Sequence, residues 1–113
     1  MATYDNLPVY RVSYELLVEL FRYTKDFSKE YKYTVGESIK TEVLEMIKNV
    51  YRANSVESKK EYIRSARENV ETIRLFLRLL KDLHQISLKK FVFLNEKIES
   101  LSKQLFAWHK SSN

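Results

Sequence analysis

The 113-residue sequence contains no cysteine, one glycine and one proline. Without cysteine there is no disulfide framework, no thiolate zinc site and no thiol nucleophile. A single Gly36 cannot build a dinucleotide-binding turn or a Walker phosphate loop, which need several positions free of a Cβ. All-β sandwiches and barrels need turn residues about every ten positions, and two Gly and Pro together cannot supply them. Long apolar runs are also missing. Stretches such as Phe91-Val92-Phe93-Leu94 fall far short of a membrane span. The opening Met1-Ala2-Thr3-Tyr4-Asp5 has neither a basic nor an apolar leader region. A cytoplasmic protein with no membrane partner is therefore expected.

What is present points to helices. Apolar residues make up 44% of the chain and charged residues of both signs are interspersed, which excludes a disordered polymer. The expectation is a single all-α domain over residues 1–113. Lys and Arg number 20 against 15 Asp and Glu, a net charge of +5. That surplus favours anionic partners, RNA or DNA, or an acidic protein surface.

Four helices are predicted, at about 7–27, 35–54, 59–84 and 88–110. The first opens near Asn6-Leu7-Pro8, where proline suits a first turn. Its apolar row is Val9, Val12, Leu16, Leu17, Leu20, Thr24 and Phe27. Capping boxes at Thr34-Val35-Gly36-Glu37 and Ser58-Lys59-Lys60-Glu61 should start the second and third helices. The second buries Ile39, Val43, Met46, Ile47, Val50 and Tyr51. Ser87 caps the fourth, with Ile86 and Phe91 as a hydrophobic staple. Its row is Leu88, Phe91, Leu94, Ile98, Leu101, Leu105 and Trp108, before a fraying Ser111-Ser112-Asn113. Short connections force antiparallel neighbours, hence an up-down-up-down antiparallel four-helix bundle.

The third helix carries two further signals. Its apolar residues Leu75, Phe76, Leu77, Leu79, Leu80 and Leu83 span about 200° of arc, more than one bundle face needs. Leu75 and Leu79 are thus candidates for a homo-oligomer interface, or else are simply exposed leucines. Opposite that apolar arc as a whole, Arg67, Arg74, Arg78 and Lys81 lie within about 60° and extend about 21 Å, a spacing that could meet successive phosphates. The competing reading is a solvated face, with Glu71 and Asp82 paired to those arginines. Lys29-Glu30-Tyr31-Lys32-Tyr33 interleaves aromatics with lysines, suggesting base stacking or a plain solvated turn.

Catalytic and cofactor candidates are lacking. Neither His84 nor His109 follows the Glu-x-x-His spacing of di-metal bundles. No His-Glu-x-x-His motif occurs, and no serine sits in a recognisable triad order. No metal or cofactor is expected. Arg78 and His84 resemble the Arg-x(4–6)-His motif of HEPN ribonucleases, but Leu79 replaces the usual small polar residue. On a continuous helix the two would stand about 240° apart.

Five strings, in order, carry a wider resemblance. They are Leu7-Pro8-Val9-Tyr10; Tyr31-Lys32-Tyr33-Thr34-Val35-Gly36-Glu37; Tyr51-Arg52-Ala53-Asn54-Ser55; Leu79-Leu80-Lys81-Asp82-Leu83; and Lys103-Gln104-Leu105-Phe106-Ala107-Trp108-His109-Lys110-Ser111. Together they resemble a family of small bacterial four-helix bundles. It includes proteins encoded in intervening sequences of large-subunit ribosomal RNA genes and the accessory variability determinant of diversity-generating retroelements. The resemblance implies a non-enzymatic, basic ring, typically a pentamer. In retroelement members such a ring binds nucleic acid and a reverse transcriptase. Arg52 and Lys81 lie in matching strings and become binding candidates on that ground. Ala107-Trp108 departs from the commoner Gly-Trp ending. The rival expectation is a protein-interaction or structural bundle with no nucleic-acid role. Gly36, the lone glycine, is expected where a neighbouring helix or subunit approaches closely.

Overall fold

Apolar side chains recurring at steps of three and four give each long helix one buried stripe. In the computed structural model, which describes residues 7–112, these helices are α1 (Pro8–Thr24), α3 (Val35–Ser55), α4 (Lys60–Asp82) and α5 (Leu88–Ser111). A one-turn α2 (Lys29–Lys32) interrupts the first connection. No strand occurs among the described residues. Residues 1–6 and Asn113 lie outside the described residues, and with them the opening stretch read for a leader region and the last residue of the predicted tail.

The bundle is up-down-up-down. α3 packs between α1 and α4, and α5 closes the square against α4 and α1. On α4 the buried row is Ile63, Ala66, Val70, Ile73, Leu77 and Leu80, an alternation of three and four throughout. That heptad-like spacing is what nearly antiparallel bundle packing requires. Leu94, Ile98, Leu101 and Leu105 answer it from α5. The product is a rod of 43 × 21 × 21 Å.

Several local expectations are corrected. α1 stops at Thr24, because three-residue turns take over: Asp26 and Phe27 amides donate to the Tyr23 and Thr24 carbonyls. Phe27 is nevertheless buried. Neither capping box forms. The Thr34 hydroxyl donates instead to the Glu30 carbonyl at 2.7 Å, and Glu37 pairs with Lys40 at 3.2 Å. α4 starts after Lys59, one residue beyond Ser58, with no side-chain cap. Lys59 Nζ reaches back to the Ala53 and Val56 carbonyls at 2.9 and 2.6 Å, serving the end of α3. Ser87 does cap α5, accepting from the Lys90 amide at 3.1 Å. Tyr51 and Leu88 are exposed rather than buried: Tyr51 stands about 100° round the helix from Val50, outside the row Val50, Ala53 and Asn54, and Leu88 is the first residue of α5. The C-terminal tail holds further than expected: the Ser111 and Ser112 hydroxyls donate to the Trp108 carbonyl.

Gly36 is buried by the chain itself. A Cβ there would stand 3.0 Å from the Tyr31 carbonyl oxygen and 3.4 Å from the Phe27 ring. The close neighbour within the chain is the α1–α3 connection.

Candidate nucleic-acid interface

The basic residues of α4 continue further than the sequence reading followed them. Lys60, Arg64, Arg67, Glu71, Arg74, Arg78 and Lys81 recur at steps of four and three along 23 helical residues. Each follows or closely adjoins a core position, which turns the stripe about 100° from the core, toward α5. It extends about 32 Å along the axis. Lys60 and Arg64 were missed although the same spacing announces them.

Contacts across the seam confirm which way the stripe faces. Arg67 lies 5.4 Å over the Phe106 ring and Lys81 Nζ lies 4.9 Å over Phe91. Arg74 Nε and Nη2 donate to Glu99 Oε2 at 3.0 and 2.7 Å, and its Nη1 pairs with Glu71. Thus the two carboxylates in the middle of the seam are both spent on one arginine. Arg74 fastens α4 to α5, while the cations on either side of it are held far less tightly. Arg78 meets Asp82 only at 3.9 Å, and Arg64 meets Glu61 only at 3.9 Å, both pairs on open surface. Such pairs contribute little and yield readily to a polyanion. Glu99, on another helix, could not be assigned to Arg74 from helical spacing alone.

The seam therefore has two ends. One gathers Arg78, Lys81 and Phe91 around a depression of about 500 Å³ that Leu75 also lines. The other gathers Lys60, Arg64 and Arg67 opposite Phe106 and His109. Desolvation, then the positive charges of Lys60, Arg67 and Arg64, hold the His109 imidazole below its ordinary value of 6.5. Phe106 is 55% exposed, an open ring among cations. Arg52 is exposed on the last turn of α3, at the end of the bundle where α4 begins. The structure thus joins Arg67, Arg74, Arg78 and Lys81 in one seam and leaves Arg52 at its margin. Leu75 and Leu79 are 64% and 40% exposed on α4.

Arg78 and His84 do not form one site. His84 has φ 58°, and its amide donates to the Lys81 carbonyl while Gln85 donates to Leu80. This is the left-handed residue of a Schellman helix end, normally glycine. Its side chain opens on a depression lined by Lys81, Asp82 and Ser87, which Arg78 does not reach. No group of three or more acidic or histidine side chains among the described residues is placed to hold a metal. No helix among them is long and apolar enough to cross a membrane.

Comparison with known proteins agrees with this architecture. A family model described as bAvd-like matches residues 9–112. A crystal structure of a protein of unknown function from the S23 ribosomal protein family of Bacteroides thetaiotaomicron superposes with a TM-score of 0.84. It is 19% identical, over 96% of this chain and 100% of that one. No curated protein matches.

Proposed function

Because the chain belongs to the bAvd-like family, we propose that it is a non-enzymatic bundle that binds RNA or DNA along the α4–α5 seam. The observation that carries this reading is the α4 stripe, six cations at helical spacing broken only by Glu71. Cations spaced along about 32 Å can follow a phosphate backbone, each releasing a counterion on contact. Lys60, Arg64, Arg67, Arg78 and Lys81 make the contacts, with Arg52 at the margin. Arg74 is a positioning residue, because its charge is already satisfied.

Self-association extends the same surface. Leu75 and Leu79 are the exposed apolar pair we assign to contact between subunits, and a ring would repeat the stripe once per copy. Gly36 is covered by its own chain, so the proposed contact is carried by the two leucines. A reverse transcriptase is the partner the family resemblance suggests for such a ring; co-purification of a polymerase encoded beside this chain tests it.

The nucleic-acid role is tested with a labelled single-stranded RNA. Binding should be measurable at low salt, should fall steeply as salt rises, and should be lost in the triple reversal Arg67→Glu, Arg78→Glu, Lys81→Glu. Binding unchanged by the triple reversal moves the contact elsewhere.

A further inference from the structure

A second basic surface lies at the opposite side of α1, away from the α4–α5 seam. The last turns of α1, the connection after α2 and the first turns of α3 enclose an open groove of about 390 Å³. That volume is in the range of small-molecule sites. Its lining includes Phe21, Arg22, Lys25, Lys32, Tyr33 and Lys40, with Glu37 the one carboxylate. Two of the four cations are already engaged. Arg22 is held by Glu19 at 2.7 Å, and Lys40 by Glu37 at 3.2 Å with its Nζ 4.4 Å over the Phe21 ring. Among the described residues, no carboxylate lies within 4.0 Å of Lys25 or Lys32. Two aromatic rings are also partly exposed here, Phe21 at 49% with Lys40 over one of its faces and Tyr33 at 64%.

We propose that this groove binds a nucleotide, its base stacked on Tyr33 and packed against Phe21, and its phosphate held by Lys25 and Lys32. Each half of the ligand matches a half of the groove. A planar base needs exposed ring faces, and stacking tolerates any base because every base has a π-face. A phosphate needs uncommitted ammonium groups, which Lys25 and Lys32 supply as point charges. An acidic peptide would use the lysines and leave both rings unused. The rings and the lysines converge only because α2 folds Lys32 and Tyr33 back beside the end of α1. In sequence Phe21 and Tyr33 are twelve positions apart. The ligand is either a free nucleotide or an unpaired nucleotide of a strand, and the site does not depend on the seam.

Backbone amide shifts in heteronuclear NMR test this directly. The intact chain is titrated with adenosine monophosphate, with a six-residue oligoadenylate and with inorganic phosphate, following the amides of residues 21–40. Saturable shifts with the first two, each ligand competing with the other, are expected. Tyr33→Ala and Phe21→Ala should each weaken binding about ten-fold, and Lys25→Glu with Lys32→Glu should abolish it. Circular dichroism checks that each variant keeps its helices. Tighter binding of the oligonucleotide identifies a strand as the source; equal or weaker binding identifies the free nucleotide. Inorganic phosphate binding as tightly as the nucleotide, or affinity unchanged in Tyr33→Ala, overturns the proposal. So does the absence of shifts at millimolar nucleotide. Retention of long RNA by the seam is a separate readout, so failure of one site is not failure of the other.

Discussion

Gly36 and His84 are the two residues whose backbone setting most constrains what may replace them. At Gly36 an added methyl would meet the Tyr31 carbonyl at 3.0 Å, a backbone atom with little freedom to retreat. Gly36→Ala should therefore lose about 1–2 kcal/mol by denaturant unfolding, although alanine is the better helix former. At His84 the reverse holds. Its φ of 58° strains any side chain, so His84→Gly should gain roughly 0.5–1 kcal/mol, seen as a rise of a few degrees in melting temperature. A drop on that substitution would mean the imidazole makes a contact worth more than the strain. His109 belongs to the same scale. Its folded value lies below 6.5, so the unfolded chain binds more protons in acid and stability from this group falls as pH drops through 6.5. A polyanion on Lys60, Arg64 and Arg67 would remove the charges that depress it. RNA affinity should then rise between pH 7.5 and 5.5 with uptake of a proton, and His109→Gln should flatten the rise.

Between elements, the polar contacts decide which helix faces which. α4 carries asparagine on its α3 side and arginine on its α5 side. Asn49 Nδ2 donates to Asn69 Oδ1 at 2.9 Å, and Asn69 Nδ2 donates to Glu42 at 2.9 Å, a chain set into the α3–α4 seam. Asn69→Leu strands Asn49, itself buried, and should cost about 2 kcal/mol. Converting Asn49 to leucine as well should recover much of that loss. A double variant no more stable than Asn69→Leu alone would show that the network contributes more than pairing of its own polar groups. These contacts mark the limit of what the amino-acid pattern reveals. The buried rows of α3 and α5 follow from periodicity and were largely legible, whereas on α4 only the arc from Leu75 to Leu83 was read, of which Leu77 and Leu80 are buried. The stripe of cations was legible too, though its first two members, Lys60 and Arg64, were not picked out. Glu99 on Arg74, Phe106 under Arg67 and the groove around Phe21 and Tyr33 join residues from different elements, and helical spacing has no term for that. The capping boxes failed for a related reason. Thr34 and Ser58 match the pattern, but the turn at α2 and the reach of Lys59 gave the local backbone other partners.

At the scale of the molecule, charge is distributed unevenly around a narrow rod. The α4–α5 seam concentrates six lysines and arginines of α4 on one flank, with its two central carboxylates both absorbed by Arg74. The expected outcome is a protein whose nucleic-acid affinity is set by salt and little by sequence. Assembly through Leu75 and Leu79 would array several such flanks around one axis, and avidity would then raise affinity without new contacts. The most direct measurement is the salt dependence of single-stranded RNA binding for the native chain and for Arg67→Glu, Arg78→Glu, Lys81→Glu. The account predicts a steep fall in the logarithm of affinity with the logarithm of salt for the native chain, and no measurable binding for the triple variant at the same low salt. Absence of binding by the native chain at low salt, or an identical slope in both proteins, would contradict it.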